Sequence, residues 1–121
     1  MPRAGDIFED AATGERTIVR KTGRETGGQA DVVETFLLPG RRVGAQRVQA
    51  AQEQRLEVIH GRIAFEIGRE TVFADSGDRI AIPAGTPHRY WNAGPTEAQF
   101  VCESRPASAF DDTTTTERET S

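Results

Sequence analysis

From residue 54 to residue 82 apolar and polar side chains alternate with a period of two. Leu56, Val58, Ile63, Phe65, Ile67, Ile80 and Ile82 fall on one face, while Arg55, Glu57, Arg62, Glu66 and Arg79 fall on the other. That period belongs to β-strands with one buried face. The same reading along the chain predicts strands at 17–21, 32–38, 45–49, 54–60, 62–67, 71–74, 79–82, 88–92 and 98–104. Gly- and Pro-rich turns separate them, among them PG at 39–40, HG at 60–61, SGD at 76–78 and PAGTP at 83–87. Many short strands at this spacing predict an all-β sandwich or barrel. No window carries helical periodicity for more than two turns. The tetrapeptide GRET occurs at 23–26 and 68–71, too short to define a structural repeat.

One predicted strand breaks the pattern. In RVQAAQEQ, residues 47–54, the positions that alternate toward the interior are Arg47, Gln49 and Gln54. A buried polar group without a partner costs roughly 1–3 kcal/mol. A guanidinium has five donors and no acceptor, so Arg47 calls for an anion, either an internal one such as Glu103 or Glu34 or one on a ligand.

Composition narrows the setting. A chain of 121 residues is large enough for one core, expected over residues 1–110. The last stretch, DDTTTTERETS at 111–121, lacks large apolar groups and is expected to be a disordered polar tail. It holds four acids and one Arg, so of the net charge of −4 it contributes −3 and the rest of the chain −1. That balance speaks against a nucleic-acid partner. No apolar run approaches the roughly 18 residues of a membrane helix, and the N-terminus MPRAGDIFED has no signal-peptide core. The single cysteine, Cys102, excludes an internal disulfide and favours a reducing, cytoplasmic location.

The stretch GDRIAIPAGTPHRYWN supplies a motif. Gly77 is followed after five residues by Pro83, then by Gly85, His88 and Asn92 with one, two and three residues between. This spacing resembles the second motif of the cupin family at each fixed position. The first cupin motif ends on a Gly, here matched by Gly61. Counting back from it sets Gln54 where the family has Glu, and Gln49 and Arg47 where it has His. The matching stretch spans about residues 40–92. The resemblance implies a double-stranded β-helix, or jelly-roll barrel, with its site at the open end, and it permits a homodimer. An outward Trp91, with Val48 and Val101, is expected on the side available for such a contact.

The expected site therefore consists of Arg47, Gln49, Gln54 and His88 as ligand-binding residues. His88 is a candidate general base, and Tyr90, on the same face two residues later, a candidate acid or donor. Of the matched ligand positions only His88 carries a metal-binding side chain, so no metal and no cofactor is expected. Three functions stay open. The first is a metal-independent isomerase, cyclase or lyase acting on a small polar or anionic molecule. The second is a non-catalytic ligand-binding or sensor protein. The third is a dioxygenase-like cupin that holds its metal through non-standard ligands.

Overall fold

The computed structural model describes residues 3–41, 43–48 and 51–106. Its strands are β1 (Ile7–Asp10), β2 (Glu15–Lys21), β3 (Asp31–Leu37), β4 (Glu53–His60), β5 (Arg62–Ile67), β6 (Glu70–Asp75), β7 (Arg79–Ile82), β8 (His88–Asn92) and β9 (Ala98–Arg105). A single helical turn, α1 (Gly23–Thr26), lies between β2 and β3. The strands form a six-stranded sheet in the order β1-β2-β3-β9-β4-β7 and a three-stranded sheet in the order β6-β5-β8. The named pairings are antiparallel.

One apolar core joins the two sheets. Leu37, Leu56, Val58, Ile82, Ala98, Phe100 and Cys102 come from the larger sheet, and Ile63, Phe65 and Ala74 from the smaller. The alternation from 54 to 82 thus reads the faces correctly: Ile67 and Ile80 are partly buried against the same core. The ring of Phe65 meets Phe100 edge-on at 6.1 Å between centroids, and Tyr90 meets Phe100 at 5.1 Å. Such pairs add about 0.5–1.5 kcal/mol each beyond the area they bury.

Several elements differ from the expectation, among them the helical turn α1, which the sequence reading did not include. Strand β1 was not foreseen, because IFED has no alternation and all four of its residues are exposed. Strand β2 begins at Glu15, two residues before the predicted start. The expected strand at 45–49 reduces to one bridge, in which Arg47 and His88 exchange both backbone hydrogen bonds at 2.7 and 2.8 Å. Gly44, Ala45 and Gln46 offer little β-propensity to extend a ladder. Gln49 and the tail at 111–121 lie outside the described residues.

The two GRET segments diverge through their neighbours. At 23–26 Thr22 precedes the tetrapeptide, and its backbone N–H donates to the Glu25 carboxylate at 2.7 Å, closing a helical first turn. At 68–71 the tetrapeptide turns β5 into β6, with Gly68 at φ +61°.

Gly61, the hairpin residue between β4 and β5, sits at φ +84°, and a Cβ there would stand 3.0 Å from both Cα and Cβ of buried Ala98. Gly61→Ala combines left-handed strain with a backbone clash and should destabilise the fold by about 2 kcal/mol or more. Equilibrium denaturation in urea checks this: an unchanged midpoint would show that the hairpin can shift freely.

Candidate functional site

The 83–87 turn sets His88. Gly85 takes φ +80°, Thr86 N–H donates to the Pro83 carbonyl at 3.3 Å, and the chain enters β8 with His88 buried at 3 % exposure. Its Nδ1 lies 3.1 Å from the Thr86 carbonyl. A carbonyl only accepts, so Nδ1 carries the proton and donates. Nε2 has no hydrogen-bond partner among the described residues. At the other end of β8, Asn92 bonds its own turn as expected, through Thr96 O at 2.7 Å and Gly94 N at 2.8 Å, and it also reaches the Leu37 carbonyl at 2.9 Å.

Because Arg47 and His88 form a hydrogen-bonded antiparallel pair, their side chains leave the same face. Tyr90 follows on that face. Its ring packs among Phe65 and Phe100, and its hydroxyl donates to Glu15 Oε2 at 2.6 Å. Arg47 closes the triangle, donating from Nη1 to the Tyr90 hydroxyl at 3.2 Å and from Nη2 to Glu15 Oε1 at 3.3 Å. Its guanidinium also stands 5.5 Å over the Tyr90 ring. Arg47 is not the buried group foreseen, since half of its side chain is exposed. Nor are its expected internal anions its partners: Glu34 pairs with Arg20 and Glu103 with Arg105.

Burial and the neighbouring Glu15 carboxylate push the Tyr90 hydroxyl far above the ordinary phenol range, against the pull of Arg47. Arg47 in turn has its pKa raised, by Tyr90 first and by Glu15. Tyr90 is thus a strong donor held in place, ill suited to release its proton. Gln54 faces the interior beside Leu56 and donates to Ser104 Oγ at 3.4 Å. Ser104 Oγ also lies 4.0 Å from Cys102 Sγ, whose thiol burial pushes up to about 11.

These residues occupy two places. A shallow cleft, open to solvent, runs beside β8, lined by Thr13, Glu15, Leu38, Arg41, Arg47 and Trp91, and by Arg89, Tyr90 and Asn92 of the strand itself. Consecutive residues of β8 contribute, so the cleft meets the strand at its free edge rather than on one face. Trp91, expected on the outside, is half-buried in this wall. His88 and Gln54 do not line the cleft. Three arginines face one carboxylate among its lining residues, with Arg89 held by Glu66 at 2.6 Å.

Glu15 and Arg41 were missed by the sequence reading, which built the site from Arg47, Gln49, Gln54, His88 and Tyr90. The signal for Glu15 was present: it precedes Thr17 and Val19 on one face of ERTIVRK, and Thr17 Oγ1 donates to it at 3.3 Å. Nothing in the sequence pattern marks Arg41.

Tyr90 and Cys102 titrate higher in the folded chain than in the unfolded one, where they lie near about 10 and 8.5. Their contribution to stability is whole below those values and is lost as the pH rises through the folded ones. Stability should therefore fall from about pH 9 upward. Tyr90→Phe should be less stable by about 2 kcal/mol at pH 7, having lost a bond to a carboxylate, and should show a shallower alkaline decline. Denaturation midpoints measured between about pH 7 and 11 test this, and parallel curves for the two proteins would refute it.

Comparison with known proteins places the architecture. A family model described as the cupin domain matches residues 34–102. KdgF from Halomonas sp. is similar in structure, with a TM-score of 0.72 at 18% identity over 88% of this chain and 90% of that one. A protein from Thermotoga maritima described as a predicted oxalate decarboxylase gives 0.73 at 15% identity, over 86% of this chain and 96% of that one. The cupin domain of Schizosaccharomyces pombe Cnp3 gives 0.72 at 7% identity, over 89% and 72%. No curated protein matches the chain. With the motif, the two-sheet core and the family match in agreement, the chain belongs to the cupin family and folds as its double-stranded β-helix.

Proposed function

We propose that this cupin binds a small organic anion in the cleft beside β8, with Arg47 as the anchoring cation. The observation that carries the reading is the half-exposed Arg47 guanidinium, braced from within by Tyr90 and Glu15 and bordering the cleft. A guanidinium held in a fixed plane loses little freedom on gripping a carboxylate. The charge along the cleft favours an anion as well. Two structurally similar proteins were captured with small carboxylates: Lactobacillus farciminis oxalate decarboxylase with formate and a recombinant oxalate oxidase with glycolate.

A second reading adds chemistry. The Nε2 of His88 is buried and has no hydrogen-bond partner among the described residues, and its ring is held by the Thr86 bond, an arrangement open to a general base. Because His88 does not line the cleft, it acts only on a ligand that reaches past the cleft wall; a metal-independent isomerase, cyclase or lyase requires that reach, and a sensor that only binds does not. Tyr90 then serves as a positioning donor rather than as the acid, because its proton is engaged by Glu15.

The side chains at the family's ion-holding positions do not suit a metal. Arg47 carries a permanent positive charge, Gln54 is a neutral amide already bonded to Ser104, and His88 is a single imidazole. Among the described residues no three His, Cys, Asp or Glu side chains come together to hold one. The wider setting remains a proposal too: a cytoplasmic homodimer with a small molecule, not nucleic acid or membrane, as its partner. No helix among the described residues is long and apolar enough to cross a membrane.

Thermal-shift measurements with propionate and its neutral analogue propionamide test the anchor. Propionate should raise the melting temperature and propionamide should not, and Arg47→Ala should weaken propionate binding about tenfold. Equal shifts from both compounds would overturn the role of charge. Elemental analysis of purified protein addresses the metal. A transition metal at one equivalent, lost in His88→Ala, would sink the metal-independent reading.

A further inference from the structure

The charge of Arg47 is partly balanced by Glu15, and that of Arg89 by Glu66. Arg41 is different. It lines the same cleft, it is exposed, and no carboxylate pairs with it among the described residues. Its hydrogen bond runs from Nη1 to the Ala11 carbonyl at 3.1 Å, which leaves most of its five N–H donors open.

The fold holds this arginine in position. Leu38 N–H donates to the Gly14 carbonyl at 3.0 Å, so the chain leaving β3 lies on the turn between β1 and β2. A Cβ at Gly14 would stand 2.7 Å from Arg41 Cγ and 2.9 Å from Leu38 Cβ. The turn therefore admits the aliphatic stem of Arg41 only because residue 14 has no side chain. A stem braced in this way directs the guanidinium before any ligand arrives, which lowers the ordering penalty of binding. Along the same wall Leu38 and Trp91 supply apolar surface.

We infer that Arg41 is a second anchoring point, and that the cleft selects short organic dianions whose two acid groups are separated by a carbon linker. This rests on the anion-binding reading of the same cleft. One acid group meets Arg47, the other meets Arg41, and the linker lies along Leu38 and Trp91. A monoanion satisfies one guanidinium only. A single-centre dianion such as inorganic phosphate concentrates its charge without spanning the two.

Isothermal titration of the full chain with propionate, succinate, glutarate, adipate and inorganic phosphate separates these cases. One of the dicarboxylates should bind about tenfold more tightly than propionate, and more tightly than phosphate. Arg41→Gln, which removes the charge from an exposed side chain, should erase that preference and leave propionate affinity within about twofold. Propionate and every dicarboxylate binding equally to the unaltered protein would overturn the inference while leaving the anion-binding reading intact. So would phosphate binding as tightly as the best dicarboxylate, or Arg41→Gln weakening propionate and dicarboxylate alike. Absence of binding by all five compounds would defeat both.

Discussion

A phenol packed into an apolar barrel must still find a partner for its hydroxyl, and here the partner is Glu15. The rest of the mouth follows from that bond. Tyr90 is fixed by Phe65 and Phe100, so its oxygen has one place to be. Glu15 must come within reach of it from β2, 75 residues away in sequence. The carboxylate so placed carries a charge that needs compensation in a partly desolvated setting, and Arg47 supplies it. Arg47 is held in turn by its backbone exchange with His88, two residues before Tyr90 on the same strand. Tyrosine, carboxylate and guanidinium thus tie the short 43–48 segment to both sheets with very little regular structure of its own.

Polar groups at the barrel mouth and just inside it fall into two compartments. Outside the Tyr90 ring lie the charges: Glu15, Arg41, Arg47 and Arg89, open to the cleft. Inside lie side chains held by single bonds to neutral partners: Gln54 on Ser104, Ser104 beside Cys102, and His88 on the Thr86 carbonyl. This division follows the energetics of burial. A charge taken into the core needs an exacting partner, whereas an amide, a hydroxyl and an imidazole can be satisfied by single neutral bonds. Among the described residues, the Nε2 of His88 has no partner.

How much of this was legible in the sequence depended on the range of the interaction. The period of two sorted Leu56, Val58, Ile63, Phe65 and Ile82 from their charged neighbours, because the pleat is a local property. The spacing from Gly77 to Asn92 set the 83–87 turn, the burial of His88 and the bonds of Asn92. The facing of Arg47 toward Tyr90 was readable from alternation, but the length of its strand was not, since alternation says nothing about how many ladder bonds form. Its partner was the hardest to read. Glu34, Glu103 and Glu15 are all carboxylates on neighbouring strands, and which one meets Arg47 depends on sheet order and register. Arg41 depends on the absence of a side chain at Gly14, a contact with no periodic trace.

Arginine at a position where the family resemblance implies an ion-holding histidine changes what the scaffold can offer, without changing the sign of the charge. A bound divalent cation and a guanidinium both attract an anion, but only the guanidinium is a permanent part of the chain. Its five donors lie in one plane, so it orients a carboxylate through paired bonds and polarises it weakly. In the proposed reading recognition of the acid group is thereby kept, while the burden of any reaction shifts to proton movement. That work falls, in the same reading, to His88, whose Nδ1 is bonded to Thr86 and whose Nε2 has no partner among the described residues. The proposed anion site and the proposed base are therefore two consequences of one substitution pattern on a barrel whose apolar core it leaves intact.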